Sequence, residues 1–398
     1  LGNRGPAAVQ RMTHIEGTDI RALCDLRPEK AAAAKKILEG TRHQADLYSG
    51  KPEEWKRLCD RKDIDLVYIA TPWALHAPMA VYAMKQGKHV CVEVPSAKTI
   101  EECWQLVETS EQTKKHCIIL ENCCYDFFEL LTLNMARQGL FGEIVHGEGA
   151  YIHTLLEGNF SKDKYYDSWR LKENLRNGNL YPTHGLGPVA QAMNINRGDK
   201  MDFLVAVSGN DFQMAEMARE LAAKDDYYKP FLNKKFRGNM NTTTIKTAKG
   251  RTIMLQHDVT SPNVYSRIHK ISGTKGSCLK YPEPGKIAFG HEGWVSDAAY
   301  KELEAKYTAP IVTRVGELAK QVGGHGGMDF LMDWRTIDCL RNGLPVDMDV
   351  YDAALWSAIA PLSEKSVNNR SNSVDVPDFT KGSWKTNSPV DISLRQIQ

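Results

Sequence analysis

Gly2 and Gly5, three apart in "LGNRGPAAVQRM", are the first residues whose types and spacing could do chemistry. They fit the second and third glycines of G-x-G-x-x-G. Gly2 would let the backbone approach a pyrophosphate, and a helix opening near Gly5 would offer its free N–H groups to it. Asn3 and Arg4 share that turn. Asp25 closes the next apolar run, 23 residues beyond Gly2, near the offset of about 20 at which an acidic residue takes the ribose hydroxyls. A carboxylate there repels a 2′-phosphate, so the spacing favours NAD over NADP. Two further apolar runs end in "ATPWALH" and "HVCVEVP", at the carboxyl edge of a parallel sheet where ligands bind. Trp73 and His76 follow the first of these ends and are placed to line a nicotinamide. The second end puts Glu93 and Val94 at the same edge, with no proton-transfer group at Val94.

These residues need a sheet to hold them. Apolar strands are expected at 19–25, 63–72, 89–94 and 116–122, alternating with segments of helical period at 28–40, 51–61, 76–88 and 99–115. Thr99 is placed to cap the last of these helices. The alternation predicts a parallel sheet covered on both faces, an α/β Rossmann-like dinucleotide-binding domain over residues 1–124. Its first strand, and any targeting segment, are expected upstream of Leu1. Beyond residue 124 the rhythm changes. A helix ending near Gly139 precedes longer strands around 143–155, 202–210, 242–260 and 267–281, with Lys249-Gly250 as a hairpin turn. Late helices are expected at 328–343 and 351–369, and no element after about 378. Residues 125–398 therefore read as an α+β domain with an open, largely antiparallel sheet, serving substrate binding or oligomerisation.

Composition limits the partners. The 398 residues are 42% hydrophobic and 25% charged, as in an ordinary globular chain. A net charge of +2 gives no electrostatic case for nucleic acid or an anionic membrane. No apolar run reaches the roughly 18 residues of a membrane-spanning helix. The nine cysteines show no metal-type spacing, so no metal is expected and the thiols read as small buried hydrophobes.

The strand ends resemble the Gfo/Idh/MocA oxidoreductases, whose corresponding strand usually ends in E-K-P. Across nearly the whole chain the closer resemblance is to glycoside hydrolase family 109, the NAD-dependent α-N-acetylgalactosaminidases. It is carried by "LGNRG", "CDL", "TPWALHAPMAVYAMKQGKHV", "VEVPSA", "LENCCY", "LNMARQGLFGEIVHGEGAYIH", "WRL", "GNLYPTHGLGPVAQ" and "GGHGGMDF". The combination of "EVP" with "YPTHGLGP" is the specific part. Departures from the parent group are informative. Val94 stands where its dehydrogenases carry the E-K-P lysine, and Thr183 and Gly187 stand where they carry an Asp-x-x-x-His pair. Without those groups an alcohol dehydrogenase forfeits acid–base help worth about 10²–10⁴ in rate.

The resemblance implies a different use of NAD. Hydride leaves C3 of the N-acetylgalactosamine ring, the C2 proton becomes acidic, elimination expels the aglycone from C1, water adds and the hydride returns. It implies His184 at the C3 hydroxyl and Tyr181 as the candidate at C2. It also implies Tyr151, Arg170 and Tyr265 as sugar contacts beside them, and Glu93, Val94 and Asn122 as cofactor contacts. His325, in "GGHGG", stays outside that set, since its glycines serve a mobile loop as well as a ligand's close approach. Competing readings are an NAD-dependent sugar or cyclitol dehydrogenase and a silent NAD-binding sensor. The expected partner is a small-molecule or glycan-terminal N-acetylgalactosaminide. A homo-oligomer is expected by analogy through the open sheet face. Location is left open: export in the folded state to an extracytoplasmic site and a cytoplasmic location both fit.

Overall fold

The alternation read in the first third of the chain folds into short parallel strands in the computed structural model, which describes residues 1–394. By its contacts the chain forms two compact units. One comprises Leu1–Asn134, Glu304–Ser357 and the chain from Val390, and the other Met135–Leu303 and Ala358–Pro389. Each unit draws on separate stretches of sequence, where the sequence suggests a single boundary at 124/125.

In the first unit β1 (Ala22–Asp25) pairs in parallel with β2 (Asp46–Ser49). A second parallel sheet has the order β3 (Leu66–Ile69), β4 (His89–Val92), β5 (Cys117–Ile119). Strand β2 was not expected, because its residues are polar or half-exposed and carry no alternation. The β4 and β5 residues Val90, Cys91, Val92, Ile118 and Ile119 are at most 1% exposed, as a strand covered on both faces requires. Helices α1 (Gly5–Thr13), α2 (Pro28–Lys36), α3 (Glu54–Cys59), α4 (His76–Lys85) and α5 (Ile100–Thr113) occupy the expected segments. Thr99 does cap α5: its Oγ1 accepts the Glu102 N–H at 3.1 Å, and Glu102 accepts the Lys98 N–H at 2.7 Å. All nine cysteines are free and eight are buried.

The second unit is built on an eight-stranded open sheet. Its strands are β6 (Ile144–Ile152), β7 (Met201–Ser208), β8 (Asn241–Thr247), β9 (Thr252–Asp258), β10 (His269–Gly273), β11 (Ser277–Lys280), β12 (Lys286–Ala288) and β13 (Val374–Asp375). The order is β12-β11-β10-β6-β9-β8-β7-β13, antiparallel except for the β6–β9 pair. Gly250 turns the β8–β9 hairpin with φ +82°, a conformation glycine adopts without a Cβ penalty. Helix α6 (Thr183–Ala192) packs on β6 at backbone contact. A Cβ on Gly185 would lie 2.3 Å from the Ala150 nitrogen, and one on Gly149 would lie 2.4 Å from the Gly185 oxygen. Of the tail expected to lack structure, the described part holds a short 3-10 turn at Ser383–Lys385, and its last four residues lie outside the described residues. Among the described residues no helix is long and apolar enough to cross a membrane.

Candidate active site

The residues expected to hold a dinucleotide gather at the carboxyl ends of the first unit's strands. Gly2 takes φ +56°, and a Cβ there would lie 1.9 Å from the Ala70 carbonyl oxygen at the end of β3. Only glycine lets that turn seat against the strand. Asp25 holds the turn from below, its Oδ2 accepting the Gly2 N–H at 3.2 Å and its Oδ1 the Arg27 N–H at 3.0 Å. Gly5 opens α1, and the exposed Asn3 and half-buried Arg4 precede it. This turn–helix arrangement with a carboxylate at the neighbouring strand end fits a dinucleotide's pyrophosphate and ribose.

Trp73 and His76 are buried. Both His76 ring nitrogens stand 2.7 Å from carbonyl oxygens, Nδ1 from Pro95 and Nε2 from Thr71. The ring thus braces the chain after β3 against the chain after β4, and burial lowers its pKa. Val94 is 3% exposed. Burial pushes the neighbouring Glu93 carboxyl up to about 7 against the opposing pull of Arg4, whose Nε is 3.7 Å away. Asn122 donates from Nδ2 to Asp329 Oδ1 at 2.6 Å.

Asp329 is a hub that sequence reasoning missed. It sits at the start of α7 (Met328–Asn342) and is 1% exposed. Its Oδ2 accepts from Arg4 Nη2 at 2.7 Å, and His325 Nδ1 lies 3.0 Å from the same oxygen. Burial works against its ionisation, yet the His325 hydrogen bond and the Arg4 and Arg11 charges hold it well below the usual carboxylate range. One turn on, Asp333 accepts from Arg11 Nε at 2.6 Å, although burial outweighs that charge and lifts its pKa to about 6. The spacing Asp329-x-x-x-Asp333, two carboxylates on one helix face, was the available signal.

The residues expected to meet a sugar also come together, within the second unit. Tyr151, near the end of β6, lies 4.9 Å from Tyr181 and 5.2 Å from His184 between ring centroids. Tyr181 and His184 meet edge to face at 4.9 Å. They flank Pro182 and Thr183 at the start of α6, and the Gly149–Gly185 contact seats that turn against β6 next to Tyr151. Tyr265 stands 6.5 Å from Tyr151, and the Arg170 guanidinium lies 5.1 Å from the Tyr181 ring centre. Thr183 and Gly187 are both buried in α6.

Three residues of this cluster escaped the sequence reading. His153 shares the face of Tyr151, two residues along the strand, which period-2 alternation could have shown. His257 pairs with Tyr151 in the β6–β9 register and stacks on it at 6.2 Å. Arg237, 1% exposed, places Nη1 3.3 Å from His257 Nε2 and donates from Nη2 to the His257 carbonyl at 3.1 Å. Burial lowers the Arg237 pKa to about 10, Asp258 opposing. Burial, then the Arg237 and Arg170 charges, hold His257 well below the ordinary histidine value.

Comparison with known proteins covers both units. A family model described as "Glycosyl hydrolase 109, C-terminal domain" matches residues 125–386, and one described as "Oxidoreductase family, NAD-binding Rossmann fold" matches residues 1–120. Glycosyl hydrolase family 109 protein 1 of Bacteroides fragilis is 50% identical over 401 residues, covering 96% of this chain and 84% of its own. An alpha-N-acetylgalactosaminidase of the same species is 50% identical over 392 residues, covering 97% of this chain and 91% of its own. Among solved structures, levoglucosan dehydrogenase in complex with NADH and levoglucosan aligns with TM-score 0.68 at 20% identity, over 94% of this chain and 97% of that one. Scyllo-inositol dehydrogenase from Lactobacillus casei with NAD(H) and scyllo-inositol aligns with TM-score 0.65 at 15% identity, over 94% and 96%. These two structures share the fold.

Proposed function

We propose that this chain, which belongs to glycosyl hydrolase family 109, removes terminal α-linked N-acetylgalactosamine with no net redox change, using NAD held by its Rossmann-like unit. The reading is carried by one observation: Tyr151, Tyr181 and His184 form one aromatic cluster with ring centroids 4.9–5.2 Å apart. Bound NAD⁺ supplies reversible hydride acceptance at C3 of the sugar, which makes the C2 proton acidic. Gly2, Asn3, Arg4, Gly5 and Asp25 hold the dinucleotide, with Trp73, Glu93, Val94 and Asn122 contacting it and His76 fixing the strand ends behind it.

His184 takes the C3 hydroxyl proton, the general-base role an imidazole most often fills. A tyrosine hydroxyl of the same cluster takes the C2 proton. Arg170 offers planar donors to hydroxyl or acetamide oxygens, and the rings of Tyr151 and Tyr265 cover the apolar side of the sugar. The dehydrogenase alternative draws on the shared fold with sugar dehydrogenases. It lacks a proton carrier at Val94, Thr183 and Gly187.

Hydrolysis of an aryl α-N-acetylgalactosaminide in D₂O, with absorbance followed at the NADH band, tests the reading. Aglycone release with deuterium at C2 and no accumulating NADH is expected. Stoichiometric NADH from an intact glycoside would overturn it.

A further inference from the structure

Tyr151 and His153 are two residues apart, so strand alternation turns both side chains to one face. The Tyr151 hydroxyl lies 3.1 Å from His153 Nδ1, and the two rings meet edge to face at 5.7 Å. Backbone pairing fixes both positions. Tyr151 stands opposite His257, and the His153 N–H donates to the Asp258 carbonyl at 2.9 Å. Tyr265 closes the far side of His153 at 5.1 Å.

Resting on the proposed glycosidase reading, we infer that Tyr151 is the tyrosine that moves the C2 proton, with His153 as the positioning residue that accepts the phenolic proton at Nδ1. A tyrosine alone, with a pKa of about 10, is a weak base near neutrality. Passing its proton to an imidazole as its oxygen accepts another avoids forming a free phenolate, the logic of a nucleophile paired with a base. The C2–H electron pair forms C1=C2, and the C1–O bond breaks with its pair on the aglycone oxygen, which takes a proton from water. The hydroxide left by that step then adds to C1. Tyr151 returns its proton to C2 while Nδ1 gives back the phenolic proton, so both residues end as they began.

The titratable and charged groups around the pair include Tyr181, His184 and Tyr265, Arg170 over the Tyr181 ring, His257 across the strand pair with Arg237 against it, and Asp258 at the end of β9. Tyr181, with Arg170 over its ring and His184 at its edge, is assigned to holding the sugar.

The test uses NAD-loaded protein with an aryl α-N-acetylgalactosaminide in D₂O, reading deuterium entry at C2, NADH absorbance and aglycone release together. His153→Gln and His153→Ala are expected to slow C2 exchange and release by about 10²–10⁴-fold with KM changed only a few-fold. NADH absorbance is expected to rise, because oxidation at C3 continues while the next step waits. Added imidazole should partly restore exchange in His153→Ala. Exchange at the parent rate in both variants overturns the inference, as does joint loss of NADH formation and exchange without imidazole rescue. Loss of exchange in Tyr181→Phe but not in the His153 variants also overturns it and reassigns the step. A parent protein that neither releases aglycone nor exchanges C2 refutes the glycosidase reading, and this inference with it.

Discussion

Replacing Gly185 with alanine probes a backbone contact between α6 and β6 beside His184 and Tyr151. The added Cβ would lie 2.3 Å from the Ala150 nitrogen, 2.6 Å from the Gly149 carbonyl carbon and 2.9 Å from the Gly149 Cα. All three are backbone atoms of β6, so no side chain can swing aside. Restoring ordinary contact at about 3.4 Å requires α6 to move outward by roughly 1 Å at its first turn. Overpacking of this kind costs about 1–3 kcal/mol, which for a unit of about 200 residues lowers Tm by roughly 2–12 °C. The larger effect falls on geometry, since a 1 Å misplacement near reacting groups costs about 10²-fold in rate. His184 is the residue before Gly185 and moves with it. The assay pairs kcat for an aryl α-N-acetylgalactosaminide with NAD affinity by titration calorimetry and Tm by differential scanning. Turnover is expected to drop about 100-fold while NAD affinity stays at the parent value, because the residues proposed to hold the dinucleotide belong to the other unit. Turnover within threefold of the parent, roughly, with unchanged Tm would refute the claim that glycine at 185 positions the cluster.

Three further outcomes are expected. Val94→Lys places an ammonium at a 3% exposed position, where burial forces it to neutralise or displace its neighbours; glycoside cleavage should fall, and undiminished hydrolysis would count against a purely cofactor-holding role for this strand end. Glu93 contributes stability that is fully present below about 4.5 and is lost as pH rises through about 7, because burial raises its folded pKa above the ordinary value. The fall of Tm between about pH 5 and about pH 8 should therefore flatten in Glu93→Gln; a variant with the parent's slope would show that Glu93 is not the titrating group. Asp329→Ala removes the shared acceptor of Arg4, Asn122 and His325. Breaking such a buried charge network costs about 3–5 kcal/mol, read by chemical denaturation, and should weaken NAD binding at the same time; unchanged affinity would separate the hub from the cofactor site.

Local sequence determined the parts of this protein that local physics controls. Strand–helix alternation specified the Rossmann-like unit, Thr99 announced the cap of α5, and Lys249-Gly250 announced the β8–β9 hairpin. Gly2 and Asp25 were legible because a dinucleotide turn needs a glycine and a carboxylate at a fixed offset. Strand β2 was not, since its polar, half-exposed residues carry no period. Tyr151, Tyr181, His184, Arg170 and Tyr265 were legible through resemblance, because isolated aromatic and charged residues look alike in a strand, a loop or a core.

What only the tertiary structure decided are the partners. Arg11 meets Asp333 across 322 residues of sequence, and Asn122 meets Asp329 across 207. His76, expected to line a nicotinamide, has both nitrogens taken by the carbonyls of Thr71 and Pro95. Arg237 and His257 form a buried layer under Tyr151 that no spacing announces. A period records which way a side chain points along its own element, whereas burial, charge pairing and hydrogen bonding depend on what the chain brings back from far away. The identities of the proposed site residues were therefore written locally, and the environments around them came from the fold.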